Sequence, residues 1–164
     1  MKKTLFAVVL NLGLSLGLVG LSPAQAEPVG DAKAQVMRFY DEVINQNKLE
    51  LVEKYFAANL IEHEPMMHPE LPVSENFKAA FQELRKGFPD LKFRVEDVIT
   101  EGDRVVVRFR MQGTHKGEFM GIGPTGKSID VPGVDILRLA GGRFVEHWGV
   151  MDSLIMMQQL GMMH

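Results

Sequence analysis

The stretch IDVPGVDILRLAGGRFVEHWGVM, residues 129–151, decides the fold. Apolar side chains recur in the period of a half-buried β-strand from Ile129 to Leu139 and again from Arg143 to Met151. Between the two runs, Ala140-Gly141-Gly142 supplies the glycines of a tight turn. The stretch therefore predicts an antiparallel hairpin with one face on a core.

One carboxyl group lies inside the first of these strands, at Asp135, between apolar neighbours. An ionised group in such a strand is costly unless it is paired or lines a wet cavity. If residues 140–142 form a three-residue loop, counting back along both strands sets Asp135 opposite His147, whereas a change of one residue would separate their faces. The pattern predicts Asp135 and His147 as an acid–base pair, and a purely structural ion pair is the open alternative.

A second hairpin precedes the first in the chain. Alternation from Leu91 to Ile99, a turn at Glu101-Gly102-Asp103 and alternation from Val105 to Met111 predict two more long strands. Since four such strands pair as neighbours, we expect their inward side chains to form one core or cavity-lining surface. That surface is predicted to contain Phe93, Val95, Val107, Phe109, Leu137 and Val145.

Helical patterns occupy most of the chain before the strands. Spacings of three and four residues predict a first helix from Asp31 to Ile44 and a shorter second helix from Leu49 to about Asn59. A third helix is predicted from Ser74 to Gly87, and a last one, from Leu154 to Leu160, with Asp152 as its N-cap. Helices followed by strands indicate an α+β fold, with the helices on one face of a curved antiparallel sheet.

Two further polar side chains are candidates for a pocket. Tyr40 ends the apolar stripe of the first helix, so its hydroxyl either reaches a pocket or is satisfied in the core. His63 lies in a short extended piece, on the opposite side from Glu62 and Glu64. No metal site is predicted, because His63 and His68 lack the helical spacing of a zinc motif.

The amino terminus has the pattern of a secretion signal. Lys2 and Lys3 precede an apolar run from Leu5 to Leu21, and Ala24-Gln25-Ala26 is a small-x-small cleavage site. We therefore expect residues 1–26 to be a removed signal peptide and residues 27–164 to be a single exported domain, periplasmic or extracellular, with no membrane segment.

Composition excludes some classes of partner and of site for the mature chain. The formal charge of −3 becomes −5 without Lys2 and Lys3, and basic residues are not clustered, so nucleic acid is not an expected partner. The sequence has no cysteine, which excludes disulfides, thiolate metal sites and cysteine nucleophiles. Most of its 11 methionines are expected to fill the core or a cavity, although methionine-rich walls also suit a pocket for more than one apolar ligand.

Several segments, read in order, resemble the SnoaL-like polyketide cyclase family. The resemblance extends over nearly the whole mature chain and rests on the ordered set rather than on any single piece. The segments are Val36-Met37-Arg38-Phe39-Tyr40-Asp41-Glu42-Val43, Ile61-Glu62-His63-Glu64-Pro65, Phe88-Pro89-Asp90-Leu91, Gly113-Thr114-His115-Lys116-Gly117-Glu118-Phe119, Gly123-Pro124-Thr125-Gly126-Lys127, Gly133-Val134-Asp135-Ile136 and Val145-Glu146-His147-Trp148.

The resemblance implies a nuclear-transport-factor-2-like cone, in which a curved antiparallel sheet and N-terminal helices enclose a pocket. It also implies an intramolecular aldol cyclisation by acid/base chemistry without metal or cofactor, with His63, Asp135 and His147 at the pocket. The family often has His-Trp-Asp where this chain has His147-Trp148-Gly149, so the usual acid/base carboxylate is missing.

Three functional hypotheses remain open on the sequence. The first is an exported acid/base enzyme, a cyclase, isomerase or hydrolase, in which Asp135 and His147 are catalytic and His63, Tyr40, Phe109, Leu137 and Val145 contact an apolar carbonyl substrate. The second is a non-catalytic exported binder of an apolar ligand. The third is an interaction module that forms a homodimer through its open sheet face.

Overall fold

The fold is a five-stranded curved sheet, not closed into a barrel, with helices packed on one face. The computed structural model describes residues 29–163, so the predicted signal peptide lies outside the described residues. The elements are α1 (Val29–Phe39), a π-helical turn (Tyr40–Asn45), a 3₁₀ turn (Leu49–Leu51), α2 (Val52–Tyr55), β1 (Phe56–Glu62), α3 (Val73–Gly87), β2 (Lys92–Glu101), β3 (Arg104–Thr114), β4 (Ser128–Ala140), β5 (Arg143–Met151) and α4 (Ser153–Leu160).

The strands lie in the order β1-β5-β4-β3-β2. The two predicted hairpins are present, and β2 to β5 pair as antiparallel neighbours. The sequence predicted an antiparallel sheet, but the edge strand β1 pairs parallel to β5, so the sheet is mixed. A parallel pair requires a long crossover connection, and the chain from α3 through β2, β3 and β4 provides it. The α+β architecture predicted from the sequence is confirmed.

The second helix is shorter than predicted. It ends at Tyr55, and Phe56 already has extended backbone angles, φ −87° and ψ 136°. Phe56 pairs with Phe144 of β5, and both rings are buried against Phe39. Strand pairing in an aromatic core therefore overrides the helical spacing of the local sequence.

Two β-bulges change which residues face the core. In β5, Phe144 pairs with Leu139 and Glu146 with Arg138, so Val145 is the extra residue. Because the alternation breaks there, Val145 does not join the inward surface, and its prediction as part of that surface was wrong. A similar bulge at Glu96 in β2 leaves Ile99 58% exposed.

The rest of the predicted inward surface is confirmed. Phe93, Val107, Phe109 and Leu137 are buried, and the partly buried Val95 packs against them. Asp152 caps α4 as predicted, because its carboxylate accepts a hydrogen bond from the Ile155 amide at 3.0 Å. None of the helices in the described part of the chain is long and apolar enough to cross a membrane.

Candidate active site

A cavity of about 360 Å³ lies between the concave face of the sheet and the helices. Its walls are mainly aromatic and aliphatic, and its mouth is formed by exposed residues of the loop after β1, including Glu64, Pro65 and Met67. Apolar walls with a few polar groups are typical of a small-molecule site. The phenylalanines in the wall are Phe39, Phe56, Phe77, Phe81, Phe93 and Phe109.

Asp135 and His147 both line this cavity, but not in the predicted register. The turn contains only Gly141 and Gly142, with φ of 55° and 69°, so Ala140 pairs with Arg143. The shorter turn shifts the register by one residue, and the bulge in β5 shifts it by one more. The prediction that residues 135 and 147 are directly opposite was therefore wrong, although both still face the same side of the sheet.

The contact between the two side chains is diagonal. Leu137 is directly opposite His147, and Asp135 is directly opposite Gly149. The His147 Nε2 atom lies 3.4 Å from Asp135 Oδ1, close enough for an ion pair. Both side chains are partly open to the cavity, with 25% and 20% of their surfaces exposed.

Glu62 completes the polar end of the pocket and was not identified from the sequence. It is the cross-strand partner of His147 in the parallel β1–β5 pair. The His147 Nδ1 atom lies 2.8 Å from Glu62 Oε2 and 3.0 Å from Oε1. Alternation in the sequence puts Glu62 on the same face as Leu60, but only the burial of Leu60 in the structure shows that this face is the inward one.

Tyr40 supports Asp135 from inside the core. The side chain is 1% exposed, and its hydroxyl donates a hydrogen bond to Asp135 Oδ2. It begins the π-helical turn that continues α1, a distortion that is frequent at functional sites. Burial, followed by the charge of Asp135, raises the pKa of Tyr40 well above its usual value, so its hydroxyl remains a donor.

The two carboxylates hold His147 in its charged form. Burial alone would lower the pKa of the ring, but hydrogen bonds and charge interactions with Asp135 and Glu62 outweigh it and raise the pKa to about 10. Burial opposes ionisation of Glu62 as well, but its bond to His147 lowers the pKa of Glu62 overall. The charged His147 therefore stabilises the folded state. This contribution to the free energy of unfolding is fully present below pH 6.5, the pKa of the ring in the unfolded chain, and is lost as the pH rises through about 10.

His63 lies on the outer face of the sheet and does not reach the pocket, contrary to the prediction. Its Nε2 atom is 2.9 Å from Glu146 Oε1, and its ring stacks on Trp148 with centroids 4.4 Å apart. The expectation that His63 shares a side with Ile61 holds, but that side is the solvent face. Trp148 likewise lies on the outer face, where Arg104 packs over its ring.

Only some of the other predicted pocket residues line the cavity. Phe109 and Leu137 line the cavity, whereas Val145 does not, and Tyr40 reaches it only through Asp135. The Phe109 ring lies over Gly133, where an added Cβ would be 2.3 Å from the ring.

Among the described residues, no group of three or more histidine or acidic side chains is arranged to hold a metal ion.

Gly149 accounts for the approach of Asp135 to His147. A Cβ atom at position 149 would lie 2.8 Å from Asp135 Oδ1 and 2.9 Å from His147 Cε1. A side chain there would push the two apart. The carboxylate of this site therefore comes from residue 135 on the neighbouring strand, directly opposite the position where the resemblance leads one to expect an aspartate.

The curved open sheet, the covering helices and the pocket between them define the nuclear-transport-factor-2-like class. The chain belongs to the SnoaL-like polyketide cyclase family, whose sequence profile matches residues 34–160. No functionally curated protein matches the chain.

Solved structures agree with this assignment. IdmH from Streptomyces antibioticus, a proposed polyketide cyclase, is 31% identical with a TM-score of 0.70, covering 79% of this chain and 98% of its own. AclR from Streptomyces galilaeus, a proposed hydroxylase, is 28% identical with a TM-score of 0.73, covering 84% and 100%. A SnoaL-like protein from Jannaschia sp. CCS1 is 29% identical with a TM-score of 0.70, covering 84% and 97%.

Proposed function

We propose that the protein is an acid/base enzyme that acts, without a bound cofactor, on a small apolar carbonyl compound. The observation that carries the proposal is the position of Asp135 at the polar end of an apolar cavity, next to a histidine held between two carboxylates. Such a site supplies the acid and base groups that cyclisation, isomerisation and hydrolysis require. Membership of the cyclase family, and the similarity to IdmH, favour ring closure.

In this mechanism Asp135 is the base. Its carboxylate removes a proton from the carbon next to the substrate carbonyl, and the electrons of the broken C–H bond move to the carbonyl oxygen as an enolate. The His147 imidazolium, close to Asp135 through Nε2, donates a hydrogen bond to that oxygen. Because the pKa of His147 is about 10, its ring acts as a cation and not as the base near neutral pH.

Ring closure follows from the same enolate. Its carbon attacks a second carbonyl in the substrate, a C–C bond forms, and the new alkoxide takes the proton that Asp135 carries. Asp135 returns to its carboxylate form, so protons and electrons balance without a co-reactant. Tyr40 and Glu62 position Asp135 and His147, respectively, through the hydrogen bonds described above.

The proton-abstraction step can be tested without the natural substrate. β-Tetralone, a bicyclic apolar ketone with acidic α-protons, is incubated with the protein in deuterated buffer, and deuterium uptake is followed by NMR. An enzyme of this kind exchanges the α-protons faster than buffer alone. A binder that lacks catalysis, the second hypothesis from the sequence, would slow the exchange of these protons or leave its rate unchanged.

We propose further that the protein is exported after cleavage behind Ala26, supported by the Lys2-Lys3 start, the apolar run and the Ala24-Gln25-Ala26 site. The expected mature chain begins at Glu27 and is recovered outside the cytoplasm. N-terminal sequencing of the protein from its own host, after fractionation, measures this. A cytosolic chain that still begins at Met1 would contradict export.

A further inference from the structure

The cavity carries excess negative charge. Three of its lining residues, Glu62, Glu64 and Asp135, bear carboxyl groups, and His147 is the only basic side chain that lines it among the described residues. The imidazolium of His147 is shared between Glu62 and Asp135, so this trio keeps one negative charge. The Glu64 side chain, at the exposed mouth, adds another.

The basic side chain of β4, Arg138, does not offset this charge. Arg138 extends from the outer face of the sheet, where it pairs with Glu146 at 2.6 Å and Asp103 at 3.9 Å. An anionic ligand would therefore enter against the negative charge of the lining carboxylates.

We propose that the ligand of this pocket carries a cationic nitrogen at one end of an apolar body. The nitrogen lies against Glu64 at the mouth, the body lies among the phenylalanines, and the carbonyl lies at Asp135 and His147. This inference rests on the proposed function for the carbonyl end. The negative charge at the mouth is inferred from the residues that line the cavity and does not depend on the proposed function.

Three probes that share one apolar body test the charge preference: naphthylmethylamine, naphthylmethanol and naphthoic acid. Isothermal titration calorimetry near neutral pH is expected to show the amine binding about tenfold tighter than the alcohol, and the alcohol about tenfold tighter than the acid, as for partly screened charges a few ångströms apart. An acid that binds as tightly as the amine, or an amine no tighter than the alcohol, overturns the proposal.

A variant at the mouth locates the effect. Glu64→Gln is expected to reduce the preference for the amine about threefold, because the residue is exposed and screened. Glu70→Gln removes the same charge from the same loop but outside the cavity lining, and is expected to leave the preference unchanged. Equal losses in both variants would mean a general charge effect and would overturn the assignment of Glu64.

The outcome for this inference is separable from that for the proposed function. Both are measured on the wild-type protein: the charge preference with the three naphthyl probes, and the exchange with β-tetralone, a neutral ketone without a cationic nitrogen. A failed charge preference with normal exchange would overturn the cationic ligand alone. Normal charge preference without exchange would leave a binder of cationic ligands and overturn the enzyme.

Discussion

Asp135→Asn is expected to lower the rate of α-proton exchange about 10²–10⁴-fold, the range for loss of a proton-transfer group. Asparagine keeps the shape of the side chain and can still accept the hydrogen bond from the Tyr40 hydroxyl. It cannot take the proton from carbon. The measurement is deuterium uptake by β-tetralone, compared between variant and wild type at equal concentrations of folded protein.

The matched control is Asp97→Asn, the same change on the exposed side of β2. Within residues 29–163, the Asp97 carboxylate accepts a hydrogen bond only from the neighbouring Val98 amide, and an asparagine oxygen can do the same. This variant should exchange at the wild-type rate. If Asp135→Asn also retained full exchange while the cavity remained intact, another group would have to be the base.

Phe144→Ala is expected to destabilise the protein by about 3–5 kcal/mol, the range for truncation of a fully buried phenylalanine. The ring is 0% exposed and contacts Phe39, Tyr55 and Phe56, with its centroid 5.1 Å from that of Phe39. Its removal leaves a void where β5, β1 and α1 meet. Chemical denaturation of wild type and variant measures the change in the free energy of unfolding.

Phe109→Ala provides the comparison within the same core. Phe109 is 3% exposed but lines the existing cavity, so its truncation enlarges a space that is already present. Its cost should fall at or below the lower end of that range. An unchanged unfolding midpoint for Phe144→Ala would contradict the aromatic core described for β1 and β5.

The fold could be predicted because its strands have strong local signals. Alternation in the two hairpins, glycine-rich turns and the helical stripe before them are all properties of short sequence windows. The parallel pairing of β1 has no such signal, because Phe56 and Phe144 are far apart in the chain. The second helix was extended too far for the same reason.

The site was predicted in part. Asp135 stands out as a carboxyl group in an apolar strand, and His147 falls on its face even though the turn and the bulge at Val145 each shifted the register. The choice of His63 over Glu62 failed because alternation tells which residues share a face, but not which face is inward. That direction depends on the tertiary contact between β1 and β5.

The central claim is that Asp135 is the base and that His147 is a fixed cation beside it. The ¹⁵N NMR spectrum of the His147 ring near neutral pH tests it most directly, in wild type and in Glu62→Gln. We predict that both ring nitrogens are protonated in wild type, and that titration occurs near pH 10 and at lower pH in the variant, which loses one carboxylate partner. A wild-type ring with one unprotonated nitrogen at neutral pH would contradict the account, because His147 would then be free to act as the base.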